Sequence, residues 1–424
     1  MTEAFLQYVW QHKLLEGPLI TVDGLSVEVE RAGEHNRDAG PDFFDARLLI
    51  GGVHWAGNVE VHIRASDWKQ HHHSEDKNYN NVILHVVYVN DTDIFLENGK
   101  KVPTLEIVDA IPQRIWENCE RLMNPSEDSV IPCAEHLKDI PDFFFQLSQD
   151  RLIVERLERK SDDVHRILKE SRGSWEETCY WLTARYFGGK VNAFPFELLA
   201  KVTPMSILAK IKDNLFRVES LLFGQAGMLE QEFEEDYPKA MKREYDYLRI
   251  SYNLNPIPGH LWKFFRMRPV SFPTLRISQF AHLISKSNNL FSKLLDTNDV
   301  GLLRQFFDVH TTEYWNTHYV FDKPTVYKKK LLGEGLIDNI LINTWIPLLM
   351  EYGIMHEDQD RKDQAFALLQ QLPSESNRIV KLWTKAGINP RNAAESQALI
   401  QRYNEYCSRK RCLDCQLAFR ILRM

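Results

Sequence analysis

Cysteine is scarce. Six residues in 424 exclude a scaffold held together by disulfides, and the thiols are expected to be reduced. The start, Met1-Thr2-Glu3-Ala4-Phe5-Leu6, has no basic stretch ahead of an apolar run, so no export signal is read. No apolar run is long enough to span a bilayer. The best candidate, Leu336 to Met350, carries Asp338, Asn339 and Asn343 and reads as a buried helix. These absences predict a soluble cytoplasmic protein with no membrane partner. A net charge of −7 is too mild, and of the wrong sign, for coating nucleic acid through bulk charge. The glycines of Phe223-Gly224-Gln225-Ala226-Gly227 follow no strand and match no phosphate-cradling loop. There is no Rossmann fingerprint, serine elbow, low-complexity linker or fixed-period repeat.

What is present can build real cores: 44% hydrophobic residues, 11% of all residues aromatic. The length suits two or three domains of about 100–200 residues. Phe5, Leu6, Val9 and Trp10 recur at helical spacing over residues 3–14. Strand patterns follow at Pro18 to Val22, Leu25 to Glu30, Phe43 to Ile50 and Val53 to Ile63, with Gly51-Gly52 as a hairpin turn between the last two. Ser66-Asp67 predicts a helix to about Tyr79. The nearly continuous apolar run Val82 to Val89 predicts a buried central strand, and Leu105 to Val108 an edge. From about Pro141 strand signals fade and apolar residues recur three and four apart. The predicted architecture is an α/β domain with a mixed sheet over residues 1–140 and an all-helical region of one or two subdomains over 141–424.

Polar chemistry concentrates between Glu34 and His85. Pro41-Asp42 immediately precedes a strand, and Glu60-Val61-His62 lies on its hairpin partner, with Glu60 and His62 on one face. Two carboxylates at a sheet edge suit Mg²⁺ or Mn²⁺, and a residue two further along can orient or deprotonate an attacking water. The pattern Pro41-Asp42, seventeen residues, then Glu60-Val61-His62 resembles the PD-(D/E)XK nuclease superfamily, as does the helix–strand–strand–strand–helix–strand order around it. That resemblance implies a restriction-endonuclease-like domain and a divalent-metal-dependent phosphodiesterase acting on nucleic acid. Asp42, Glu60 and the Val61 carbonyl would be its metal ligands, with catalysis by Asp42, Glu60 and His62. The superfamily's third motif residue is normally lysine. With His62 there, either the imidazole is protonated or the role has moved, and a noncatalytic nucleic-acid or protein scaffold is the alternative.

A rival constellation lies in the same segment. His71-x-His73 with Asp76 resembles the His-x-His-x-Asp clusters of metallo-hydrolases, which implies a histidine-ligated zinc hydrolase of a small molecule. On the predicted helix, however, residues two apart point in different directions. Asp45 and His85 are further candidates for supporting or alternative ligation.

Two more features lie in the helical region. Ile250 to Leu295 holds no acid but contains Lys263, Arg266, Arg268 and Arg276, interleaved with Trp262, Phe264, Phe265 and Phe272. Cations facing phosphates, with aromatics beside them, predict a nucleic-acid contact on the same side as Asp42 and Glu60. Cys407-x4-Cys412-x2-Cys415 is a triplet able to converge on zinc or an iron–sulfur cluster, with Cys133, Cys119 or a histidine as the fourth ligand. Finally, Ala39-Gly40-Pro41-Asp42-Phe43, Asn58-Val59-Glu60-Val61-His62, Leu222 to Gly227 and Arg268 to Pro273 resemble a conserved bacterial family without assigned function, common in Bacteroidetes. That likeness implies no activity.

Overall fold

The computed structural model describes residues 1–36, 38–124, 130–287 and 289–424. By internal contacts the chain divides into two compact units, residues 1–148 with 402–424, and residues 149–401.

The first unit is built on a mixed sheet. Helix α1 (Glu3–Gln11) starts at Thr2, whose side chain accepts from the Phe5 amide, and it buries the expected Phe5, Leu6, Val9 and Trp10. The strands are β1 (Leu19–Ile20), β2 (Ser26–Arg31), β3 (Glu34–His35), β4 (Phe43–Ile50), β5 (Val53–Arg64), β6 (Val82–Val89) and β7 (Thr104–Glu106). Their order is β1-β2-β4-β5-β6-β7, with β3 on β4. The β2–β4–β5 meander is antiparallel, whereas β5–β6 and β6–β7 are parallel. Gly51 and Gly52 have φ of 59° and 82°, the left-handed backbone of a two-residue hairpin turn. Beyond β1 the Val22 amide donates to the Thr104 carbonyl on β7 at 2.9 Å, so the sheet nearly closes on itself.

Strand β6 is an interior strand, as its unbroken apolar run requires, flanked by β5 and the short β7. Parallel β5 and β6 need a crossover, and here it departs from expectation. The helix starting at Asp67 ends at Gln70 (α2, Asp67–Gln70). His72 then takes φ 60°, and two short 3₁₀ turns follow, His73–Glu75 and Lys77–Tyr79. A residue in the left-handed region cannot continue a right-handed helix. Trp68 anchors this crossover in a core with Tyr79, Val82, Val87, Ile94, Leu96 and Val102.

Residues 149–401 are helical as predicted, and among the described residues no strand follows β7. The stretch from Pro204 to Leu222 holds two helices, Met205–Ile211 and Leu215–Gln225, and the Asn214 side chain caps the second by accepting from the Arg217 amide. A polar knot lies in this unit's core. Glu219 is fully buried and accepts from Tyr237 Oη, Thr312 Oγ1 and Trp315 Nε1. A buried carboxylate is tolerable only with such donors.

Close packing gives a test in this unit. A Cβ at Gly224 would run into the ring of Tyr245. Gly224→Ala is expected to destabilise the protein by about 1–3 kcal/mol, as overpacking does. Gly335 lies in the helix Glu334–Ile340 with nothing near its would-be Cβ. Gly335→Ala should be neutral or stabilising by up to about 1 kcal/mol. Thermal denaturation of the two variants checks the contrast, and equal melting temperatures would refute it.

Candidate metal centre

The site forms where the start of β4 meets the middle of β5. A register shift between Phe43 and Ala46 interrupts the β4–β5 ladder. Beyond it, carboxylates take over the bonds. The Asp42 amide donates to Glu60 Oε2 at 2.9 Å, and the Val61 amide donates to Asp42 Oδ2 at 3.0 Å. The sequence pair Asp42 and Glu60 is thus brought together, each carboxylate bound to main chain at or beside the other residue. Val61 itself sits in the paired part of β5, opposite Val86, with its side chain fully buried.

The remaining oxygens face inward. Asp42 Oδ1 accepts from Gln7 Nε2 of α1 at 2.9 Å. Glu60 Oε1 lies 3.5 Å from His62 Nε2 and 3.3 Å from His73 Nε2. His62 Nε2 is also 3.1 Å from His71 Nδ1. Ligand nitrogens of His62, His71 and His73 all lie within 4.8 Å of one another. Ligands at about 2.0–2.2 Å from a tetrahedral ion are separated from each other by roughly 3.3–3.6 Å, a spacing that the His62–His71 pair already has and that the trio would reach by closing in. His71 is exposed, which leaves the cluster open to solvent, while Glu60 and His62 are 4% and 1% exposed.

The non-helical crossover makes this convergence possible. On a helix His71 and His73 would diverge. The turn at His72 instead swings both toward β5, and His72 itself stays exposed. Aromatic packing then fixes the rings. His73 stacks on Tyr79 at 3.8 Å between centroids, and Trp68 packs edge-on against His73, Tyr79 and His85. His85, fully buried on β6, sits behind the cluster with its Nε2 2.9 Å from His62 Nδ1. With a proton on His62 Nδ1 donated to His85, the His62 Nε2 lone pair points at the cluster, the arrangement a ligating imidazole needs. The His85 Nδ1 has no hydrogen-bond partner among the described residues.

Two expected ligands are elsewhere. Asp45 is exposed on the bulge of β4 at φ 54°, and Asp76 caps its own turn by accepting from the Asn78 amide at 2.9 Å. The helix contributes residues that the motifs did not reveal. Gln7 bridges Asp42 and Glu3 of α1. The signal available was the i,i+4 pair Glu3 and Gln7 on the polar side of an amphipathic helix.

The cations of the acid-free stretch belong to the second unit. Lys263, Arg266 and Arg268 are exposed, as is Phe265, over whose ring the Arg266 guanidinium lies at 5.2 Å. Arg276 departs from expectation. It is half-buried and donates to Gln279 Oε1 along its own helix, and burial pulls its pKa down to about 10. Trp262 is core, its Nε1 donating to the Ala226 carbonyl at 2.7 Å.

The electrostatics of the centre are those of a site short of positive charge. Burial, then the charge of Glu60, pushes Asp42 up to about 7, and burial pushes Glu60 up to about 8. Burial, then His73 and His71, pulls His62 down to about 3. An acid with a raised folded-state pKa stabilises least once pH passes that value. The loss accumulates as pH climbs from the ordinary carboxylate range. His62, depressed, contributes stability above about 6.5 that fades only at lower pH. Between pH 6.5 and 8, therefore, the two acids set the slope. Metal-free protein should lose thermal stability as pH rises through this window, and Glu60→Gln should flatten the loss. A slope unchanged by Glu60→Gln would show that Glu60 does not titrate there.

A search of curated proteins and a search of solved structures each return no match. A family model, described as protein of unknown function (DUF2851), matches residues 3–378, which includes every residue of the centre. The chain belongs to the DUF2851 family of proteins of unknown function.

Proposed function

We propose that the first unit is a divalent-metal-dependent phosphodiesterase of the restriction-endonuclease-like kind, with its ion on His62, His71, His73 and Glu60 Oε1, and with nucleic acid as substrate. The observation that carries it is the convergence of three imidazole nitrogens, all within 4.8 Å of one another, with Glu60 Oε1 at 3.5 Å from His62 Nε2 and 3.3 Å from His73 Nε2. The nuclease-like part of the reading draws on the order α1, β2, β4, β5, α2, β6 and on Pro41-Asp42 at the head of β4 opposite Glu60. Imidazole-rich sets suit Mn²⁺, Zn²⁺ or Fe²⁺ better than Mg²⁺, so the geometry moves the metal preference away from the all-oxygen pair of Asp42 and Glu60.

Each side chain then has a task. His62 is a ligand held by His85, rather than the charged stand-in for a lysine. Asp42, pinned by Gln7 and the Val61 amide, sits beside the ligands as the base for a nucleophilic water. A bound ion would supply charge neutralisation and an acidified water. In the second unit, exposed Lys263, Arg266 and Arg268 are cations of the kind that bind phosphate.

Calorimetric titration of chelated protein with Mn²⁺, Zn²⁺ and Mg²⁺ tests the centre, and cleavage of single- and double-stranded DNA, RNA and a simple aryl phosphodiester tests the chemistry. His71→Ala and His73→Ala should each weaken Mn²⁺ or Zn²⁺ binding by more than about 100-fold, beyond what losing an outer partner costs. Asp42→Asn should keep the ion and lose turnover. His62→Lys should lose the ion. Retained activity in His62→Lys would return His62 to the lysine role. Tight binding without cleavage of any phosphodiester would shift the reading to a zinc hydrolase of another substrate, and no binding at all would leave the scaffold.

A further inference from the structure

A second polar cluster lies in the second unit and does not depend on the reading of the histidine centre. Arg156 and Lys160 stand one turn apart on the helix Asp142–Glu170, so their side chains share a face. Arg156 is 7% exposed, and its guanidinium donates to a neutral group, Asn343 Oδ1, at 3.2 Å. Lys160 is half-buried, with its Nζ 3.3 Å from Tyr186 Oη. Among the described residues neither cation comes within 4.0 Å of a carboxylate oxygen. Across from them, Pro347 has no amide to give the Asn343 carbonyl, and the chain winds into a π turn, Leu341–Trp345, just ahead of it. Asn339 and Asn343 carry hydrogen bonds along this stretch. Asn343 Nδ2 donates to the Asn339 carbonyl at 3.0 Å, and Asn339 Nδ2 donates to Glu375 Oε1 at 3.3 Å. The chain of bonds sets Glu375 beside Arg156 without joining them, and Arg156 is the charge that most counters the burial of Glu375. Glu375 Oε2 is buried and has no hydrogen-bond partner among the described residues.

We propose that Arg156, Lys160 and Glu375 form a binding site for inorganic phosphate in its hydrogen phosphate form, with Asn339 and Asn343 holding the guanidinium and the carboxylate in place. Two cations beside one acid leave an excess of positive charge. A nearly buried guanidinium whose hydrogen bond goes to a neutral amide is costly unless an anion joins it. Burial pulls Arg156 down to about 10, and burial with the charge of Arg156 pulls Lys160 down to about 8, so both cations gain from an anion between them. Phosphate oxygens accept from each. The orphan Glu375 Oε2 needs a donor, and hydrogen phosphate retains one O–H to give it. Sulfate and the dianion of a phosphate monoester carry no proton, so they would set an oxygen lone pair against the carboxylate. Lys160, Tyr186, Asn343 and Glu375 are half-buried, which gives the site an edge on solvent.

The test is calorimetric titration of the full chain, with chelator present so that the histidine centre holds no metal. It is run at about pH 8, above the carboxylate range and above the second ionisation of a phosphate monoester. The probes are inorganic phosphate, sulfate and a nucleoside 5′-monophosphate at matched ionic strength. Phosphate should bind saturably, with one site per chain, and at least about 10-fold more tightly than the other two, the cost of leaving one charged group unsatisfied. Arg156→Gln should weaken phosphate binding by at least about 10-fold, as losing a charge-assisted hydrogen bond does. Because Arg156 is buried and its replacement can disturb folding, Lys160→Gln repeats the test at a half-buried position, with circular dichroism to confirm the fold. Glu375→Gln, whose amide both donates and accepts, should raise sulfate to the level of phosphate. Lys263→Gln, an exposed cation of the same unit, should change nothing. No saturable binding of phosphate by the parent would overturn the proposal, as would equal affinity for sulfate, or unchanged affinity in both Arg156→Gln and Lys160→Gln.

Discussion

Everything in the candidate centre depends on two carboxylates, Glu60 buried and Asp42 half-buried, held without a basic partner. Among the described residues no Lys or Arg pairs with Asp42 or Glu60. Their charges are met by backbone amides, by Gln7 and by imidazoles. Amides can satisfy hydrogen bonding but cannot cancel charge, and burying an unneutralised carboxylate is costly. The protonation of both acids is displaced upward for that reason. Neutral imidazoles nearby cannot repay the deficit, because burial holds His62, His73 and His85 in the uncharged form. A divalent cation would resolve both conditions together, since its ligands are deprotonated carboxylates and unprotonated imidazoles.

The same carboxylates stitch the sheet. Past the Phe43–Val59 pair that ends the ladder between β4 and β5, the exchange between Asp42 and Glu60 carries the bonding on. Structure and chemistry are therefore coupled at one point. Strand β5 then carries Glu60 and His62 on one face because side chains alternate, and parallel pairing with β6 sets His85 against His62. Crossover geometry supplies the rest. A helix of full length would have spread His71 and His73 around its axis, and the left-handed residue His72 brings them back to one side.

Burial sorts the other sequence signals. In the acid-free stretch, Trp262 became core and Arg276 folded along its own helix, which leaves Lys263, Arg266 and Arg268 as the exposed charge. Composition shows which residues are basic, but burial decides which present that charge to a partner.

The sequence by itself determined the elements whose signals are local. Alternation and a Gly-Gly turn specified the β4–β5 hairpin, an unbroken apolar run specified β6 as buried, and helical periodicity specified the region beyond Pro141. The hairpin register that runs from Ile50 and Val53 would set Asp42 opposite Val61, and the shift between Phe43 and Ala46 is what brings it to Glu60. What only the tertiary structure decided is which histidines join them. That choice depends on a single backbone reversal at His72 and on Trp68 and Tyr79 packing against the rings. Neither has a periodic signature, since a left-handed residue and a long-range aromatic contact are selected by the packed core rather than by neighbours in the chain.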